Sequence, residues 1–139
     1  MDVKFSSAIH MLILISESED VMTSEEIATS VGTNASYIRK LSGLLKKSGI
    51  IRSHKGKKGF FLNKGKDEIN LLDVYKSVNE KENIEIFDIH CNPNDECVVG
   101  QHIKPVLNDL FGGINREVER QLNGKTLKDC IEDMKKKIK

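Results

Sequence analysis

Residues Ser24–Leu41 constrain the fold more than any other stretch. Two short amphipathic segments lie end to end there, with Gly32 between them. Thr23, with Glu26 three residues later, has capping-box spacing, so the first segment begins as a helix at that point. Ile27, Ala28 and Val31 form its apolar side, and Gly32 stops it. Thr33-Asn34 opens the next helix, either residue being a good N-cap. Ile38, Leu41, Leu44 and Leu45 are spaced to face inward, and Gly49 ends the segment. A small residue where two helices touch, Ala28, and a glycine turn four residues on have the arithmetic of a helix-turn-helix.

The flanking chain extends this plan. Val3–Ser16 reads as a first helix, with Phe5, Ile9, Leu12 and Ile13 on one face and Ala8, Met11 and Ile15 widening it. After Gly49, Ile50–His54 predicts a short strand, Lys55–Gly59 a turn and Phe60–Leu62 the returning strand. Lys64–Asn70 is a polar connection, and Leu71–Val78 a short helix with Leu71, Leu72, Tyr75 and Val78 inward. Ile84, Ile86 and Phe87 alternate weakly, as in a short extended segment. His90–Gln101, with its Asn-Pro-Asn-Asp run, reads as a loop. Ile103–Leu122 has the longest helical pattern, with Pro105 near its start and Gly112-Gly113 inside it. Thr126 with Asp129 is spaced to cap a final helix.

The expected fold is therefore mainly α with a small β-hairpin: a winged helix-turn-helix unit followed by a long C-terminal dimerisation helix. The boundaries expected are 1–79 for the first unit, 80–102 for a connecting, cysteine-containing loop, and 103–139 for the dimerisation helix and the final helix.

Charge points to the partner. Residues 33–66 hold ten Lys/Arg and no Asp or Glu, although the chain as a whole carries only +1. The remainder holds 12 basic and 21 acidic side chains, a net of −9. Positive charge gathered into one quarter of a near-neutral chain suits a polyanion. On the second helix of the motif, Ser36, Arg39 and Lys40 point away from the apolar face, and residues near the N-terminus of such a helix reach base edges. Asn34, Ser36, Tyr37 and Lys40 are the groove-facing candidates, with Arg39 on a base or a phosphate. His54, Lys55, Lys57 and Lys58, among two glycines, form a cationic hairpin tip suited to phosphates. The apolar positions Ile103, Leu107, Leu110, Ile114 and Val118 exceed what a small domain needs to cover. Pairing two copies through them would set two recognition helices about one DNA turn apart.

The chain resembles the Rrf-two family of bacterial winged helix-turn-helix transcription regulators (the IscR, NsrR and CymR type). The resemblance runs over nearly the whole chain. It is carried by Phe5–Ile9, by Ser36-Tyr37-Ile38, by Leu44 with Lys46–Ile51, and by Ser53, Lys55-Gly56 and Lys58-Gly59 in the wing. It implies a winged-helix repressor or activator that dimerises through its long C-terminal helix. Two departures stand out. The family's Gly-Gly-Tyr in the wing is Gly59-Phe60-Phe61 here. Cluster-binding members carry three cysteines before the dimer helix, whereas this loop has Cys91 and Cys97, and continuing their spacing reaches Ile103. With the third loop cysteine missing, no iron–sulfur cluster and no other cofactor or metal is expected, although His90 and His102 lie near. Cys130 lies in another helix and reads as a packed small residue. Cys91 and Cys97 are left as a redox-sensing pair or as passive thiols.

The expected function is a sequence-specific DNA-binding regulator, a homodimeric repressor responsive to redox or to a small molecule. Its partners are a duplex operator and a second copy of itself, and its inducing ligand is unknown. The alternative is a sensing or protein-binding module of the same fold that has lost DNA binding. An enzyme is not expected, because the chain has no nucleophile–base pattern, P-loop or metal triad. No apolar run approaches the roughly 18 residues of a membrane span, so no membrane partner is expected and the cytoplasm is the expected location.

Overall fold

Gly32 turns the chain as the sequence requires. In the computed structural model, which describes residues 2–54, 56 and 58–138, Gly32 has φ 84° in the left-handed region. The amides of Gly32 and Thr33 both donate to the Ala28 carbonyl, at 2.9 and 3.0 Å. That turn swings α2 (Ser24–Val31) into α3 (Ala35–Lys47). Each helix has its own N-cap. Thr23 and Glu26 form a reciprocal capping box on α2, and Asn34 Oδ1 accepts from the Tyr37 amide at 2.8 Å on α3.

α1 (Lys4–Glu17) lies behind this pair. Its fully buried apolar residues are Ala8, Met11 and Leu12, while Phe5, Ile13 and Ile15 flank the core. The buried face is therefore displaced from the expected Phe5–Ile9 line. The reason is tertiary: α2, β2, α4 and α6 all press on α1, so the middle of a broad stripe is covered most. From α2 and α3 the core takes Ile27, Ala28, Ile38, Leu41 and Leu45. Each buried large aliphatic side chain contributes about 1.5–3 kcal/mol.

The hairpin is shorter than expected. β1 (Ile51–Arg52) and β2 (Phe61–Leu62) pair antiparallel, Ile51 opposite Leu62 and Arg52 opposite Phe61. Ile50, Ile51 and Phe60 enter the core, which anchors the hairpin at its base. α4 (Leu71–Asn79) is capped by Asn70, whose Oδ1 accepts from the Leu72 amide at 2.8 Å. Val74 is fully buried in α4, whereas Tyr75, expected inward, is half-buried and meets Phe5 edge-on at 5.5 Å. Residues 84–87 form no strand, but Ile84 is buried.

α5 (Val98–Asn123) is 26 residues long and begins five residues before the expected Ile103, so Val98–Gln101 is helix rather than loop. Pro105 consequently lies inside the helix, and α5 runs unbroken through Gly112-Gly113. No residue of α5 is buried. α6 (Leu127–Ile138) behaves differently. It opens with the expected cap, Thr126 N–H to Asp129 Oδ2 at 2.9 Å and Asp129 N–H to Thr126 Oγ1 at 3.3 Å. The Leu127 amide donates to the Ile69 carbonyl at 2.9 Å, and the Leu71 amide to the Lys125 carbonyl at 3.0 Å. Leu127 and Ile131 are buried with α1, and Lys135 Nζ pairs with Glu17 at 3.1 Å. α6 thus closes the N-terminal core, whereas α5 touches α4 and adds no buried residue to that core.

Candidate nucleic-acid interface

α3 has two faces of opposite character. Ile38, Leu41 and Leu45 have no exposed surface, while Ser36, Arg39 and Lys40 are exposed on the other side. Asn34 is also exposed, but its Oδ1 is held in the cap, which leaves the amide nitrogen as its outward donor. Tyr37 departs from the expectation. It is half-buried and packed against the core, because four residues along a helix return it to the side of Leu41. Of the five expected groove-facing residues, Asn34, Ser36, Arg39 and Lys40 are exposed. Arg39 Nη1 lies 3.5 Å from Glu25 Oε1, across the turn of the motif.

The wing presents a second cationic group. Lys58 and His54 are exposed, and His54 meets the Phe61 ring edge-on at 4.9 Å. Lys55 and Lys57 lie outside the described residues. Arg52 was not foreseen. It is exposed on β1, its guanidinium lies 5.5 Å from the Phe61 ring centroid, and it pairs with His54 Nε2. The signal was present in the alternation, since Ile51 points in and the next residue must point out. Phe60 is buried beneath Lys46, whose Nζ lies 5.2 Å from the ring centroid. The side chain that departs from the family's second glycine is therefore a core residue.

Lys4, at the start of α1, pairs with Asp2 at 3.2 Å. The Asp2 carboxyl is drawn below the usual range first by the Lys4 amide, then by the Lys4 ammonium, with Lys40 adding through space, against the opposing effect of burial.

On α5, the expected positions Leu110 and Ile114 are 54% and 38% exposed, and Val106, unforeseen as an interface residue, is 59% exposed. Ile103, Leu107 and Val118 are half-buried instead. Phe111 packs on Phe87 at 5.2 Å, and Asn115 Oδ1 accepts from the Ile86 amide at 3.1 Å. One side of α5 therefore holds the connecting segment, and an apolar stripe is left facing solvent.

Cys91 and Cys97 are exposed and Cys130 is half-buried. Cys97 stands at the N-cap position of α5 without a side-chain cap hydrogen bond, and the Gly100 and Val99 amides near its thiol draw its pKa below the usual thiol value. His102 Nδ1 lies 2.7 Å from the Val98 carbonyl. Burial, then Asp129 and Asp133, push the Cys130 thiol up. Among the described residues, no three His, Cys, Asp or Glu side chains converge as a metal would require. No helix among the described residues is long and apolar enough to cross a membrane.

Comparison with known proteins agrees with this geometry. A family model described as Rrf2, iron-dependent transcriptional regulator, matches residues 1–133. YwnA of Bacillus subtilis (strain 168), named as an HTH-type transcriptional regulator, is 41% identical over 128 residues, which span 92% of this chain and 94% of that protein. A solved structure named as a DNA-binding protein is 37% identical, with a TM-score of 0.74, over 92% of this chain and 98% of the other. CymR of B. subtilis, named as the global cysteine regulator, shares the fold at 19% identity and a TM-score of 0.70, over 95% of each chain. With its helix-turn-helix and wing in place and residues 1–133 matched, the chain belongs to the Rrf2 family of winged helix-turn-helix transcriptional regulators, which bind DNA and are not enzymes.

Proposed function

We propose that this chain is a homodimeric, sequence-specific repressor that acts in the cytoplasm and holds no iron–sulfur cluster. The observation that carries the reading is the outward face of α3. Ser36, Arg39 and Lys40 are exposed on a helix whose other side is sealed in the core, within a stretch that has no acidic residue. Ser36 and Lys40 meet base edges, Arg39 a guanine or a phosphate, and Asn34 adds its amide nitrogen. Arg52, His54 and Lys58, with Lys55 and Lys57, hold phosphates from the wing. The stripe Val106, Leu110 and Ile114, with the half-buried Ile103, Leu107 and Val118 beside it, pairs with the same stripe of a second copy. Repression follows from a dimer covering its operator.

The family description includes iron, but we read this chain as cluster-free, because its loop carries two cysteines where cluster-binding members carry three. The trigger we assign is thiol oxidation, supported by the exposure of Cys91 and Cys97 and by the lowered pKa of Cys97.

The test is selection of duplexes from a random pool, followed by gel retardation over a salt series. A defined motif is expected, with affinity falling steeply as salt rises. Absence of retention at low salt, for reduced and oxidised protein alike, would contradict the reading.

A further inference from the structure

We propose that Glu25 tunes this reader for sequence over bare phosphate, by competing for the Arg39 guanidinium. The inference rests on the DNA-reading assignment above and adds a specificity-determining residue to it. Residues 33–66 contain no acid, so any carboxylate beside α3 is brought there by the fold. Glu25, in the first turn of α2, is such a group, with Oε1 3.5 Å from Arg39 Nη1. The two side chains are 71% and 57% exposed. A pair so exposed contributes little to holding the fold together. Its effect falls on what Arg39 does when DNA arrives.

The chemistry separates two outcomes. A phosphate oxygen offers Arg39 another anion in place of the one it leaves, so the exchange is nearly neutral. Guanine offers two acceptors, O6 and N7, in the fork geometry that a guanidinium matches, and the N–H groups other than Nη1 can meet them while Nη1 stays with Glu25. Glu25 therefore weakens contact with bare phosphate more than contact with guanine.

The competing account is that Glu25 merely favours the start of α2 through the helix dipole. Glu26 provides the comparison. It lies in the same turn and carries the same charge, but its carboxylate is engaged by Thr23, at 3.2 Å from the amide and 3.0 Å from Oγ1. Glutamine retains a capping box, so Glu26→Gln removes an equal charge without freeing Arg39.

The experiment measures binding of wild type, Glu25→Gln, Glu26→Gln, Arg39→Ala and the Glu25→Gln/Arg39→Ala pair. The probes are a duplex selected by wild type from a random pool and its scrambled counterpart, each over a salt series. Glu25→Gln is expected to tighten the scrambled duplex about two- to fivefold and the selected duplex less, so the ratio falls. The salt slope should steepen by up to about one. Glu26→Gln should keep the wild-type ratio, and Glu25→Gln should have no effect once Arg39 is alanine. An unchanged ratio in Glu25→Gln, an equal fall in Glu26→Gln, or a persisting effect without Arg39 would each overturn the proposal. Wild type binding neither duplex would instead remove the DNA-reading assignment, and this inference with it.

Discussion

Gly59 lies hard against Met22. A side-chain carbon added at Gly59 would sit 2.7 Å from the Met22 carbonyl oxygen and would overlap Val21 Cγ1, at a φ of +118°. The base of the wing is thus packed on the α1–α2 connection, which ties the wing's position to the helix-turn-helix. Gly59→Ala is expected to destabilise the fold by about 1–3 kcal/mol, from the strained backbone and the overlap together. It should also weaken every duplex alike, because the wing carries affinity rather than sequence. Urea unfolding and gel retardation of one preparation check both parts; wild-type stability in the variant would show that the wing is not docked there.

Asn34 has two duties that substitution can separate. Its Oδ1 caps α3, and its amide nitrogen faces outward. Asn34→Ala should cost about 1 kcal/mol of stability. Asn34→Asp should keep the cap, and gain from the dipole, yet place a negative charge on the DNA face. Thermal unfolding should therefore rank Asp above Ala, while DNA affinity should rank Asp last.

Glu17 fastens α6 to α1 in a pH-dependent way. Its carboxyl accepts from the Ser16 hydroxyl at 2.8 Å and lies 3.1 Å from Lys135 and 3.3 Å from Lys66. These partners, Ser16 first and then Lys135, pull its pKa from 4.5 to about 2, against the opposing effect of burial. The folded form therefore releases this proton more readily than the unfolded chain. Its contribution is fully present above pH 4.5 and is lost as pH falls from there through about 2. Glu17→Gln should flatten that part of a stability–pH profile and speed amide exchange in α6 at neutral pH. A variant profile parallel to wild type between those values would count against the network.

The local rules of the motif were legible in the sequence, and the long-range ones were not. Thr23 with Glu26 and Thr126 with Asp129 act within one turn of chain, so spacing placed their caps, while Thr33 and Asn34 both suited α3 and the structure uses Asn34. Ile38, Leu41 and Leu45 followed from helical period. Tyr37 sits at the edge of that period, where a few degrees of rotation decide between groove and core. The start of α5 was missed because Val98–Gln101 lacks an apolar stripe and Cys97 is not an ordinary N-cap residue. The return of α6 to α1 depends on bonds between residues far apart in sequence, such as Leu127 to Ile69. The pairing of Glu25 with Arg39 is tertiary in the same sense: the basic stretch could be read off the chain, and the acid beside it could not.

The thiols should react in a definite order. Amides of Gly100 and Val99 favour the Cys97 thiolate, while burial and two aspartates disfavour that of Cys130. Near neutral pH, Cys97 should be alkylated well before Cys130, as peptide mass mapping of a timed iodoacetamide reaction would reveal. The reverse order would contradict the placement of Cys97 at the start of α5.

The central claim is a symmetric reader: two recognition helices held apart by paired α5 stripes. Hydroxyl-radical footprinting on a selected duplex tests it most directly. Two protected patches about 10 base pairs apart, or a multiple of that, are expected, and Leu110→Asp should abolish the pair without unfolding the chain, since Leu110 is exposed. A single protected patch from wild type, or a pair that survives Leu110→Asp, would contradict it.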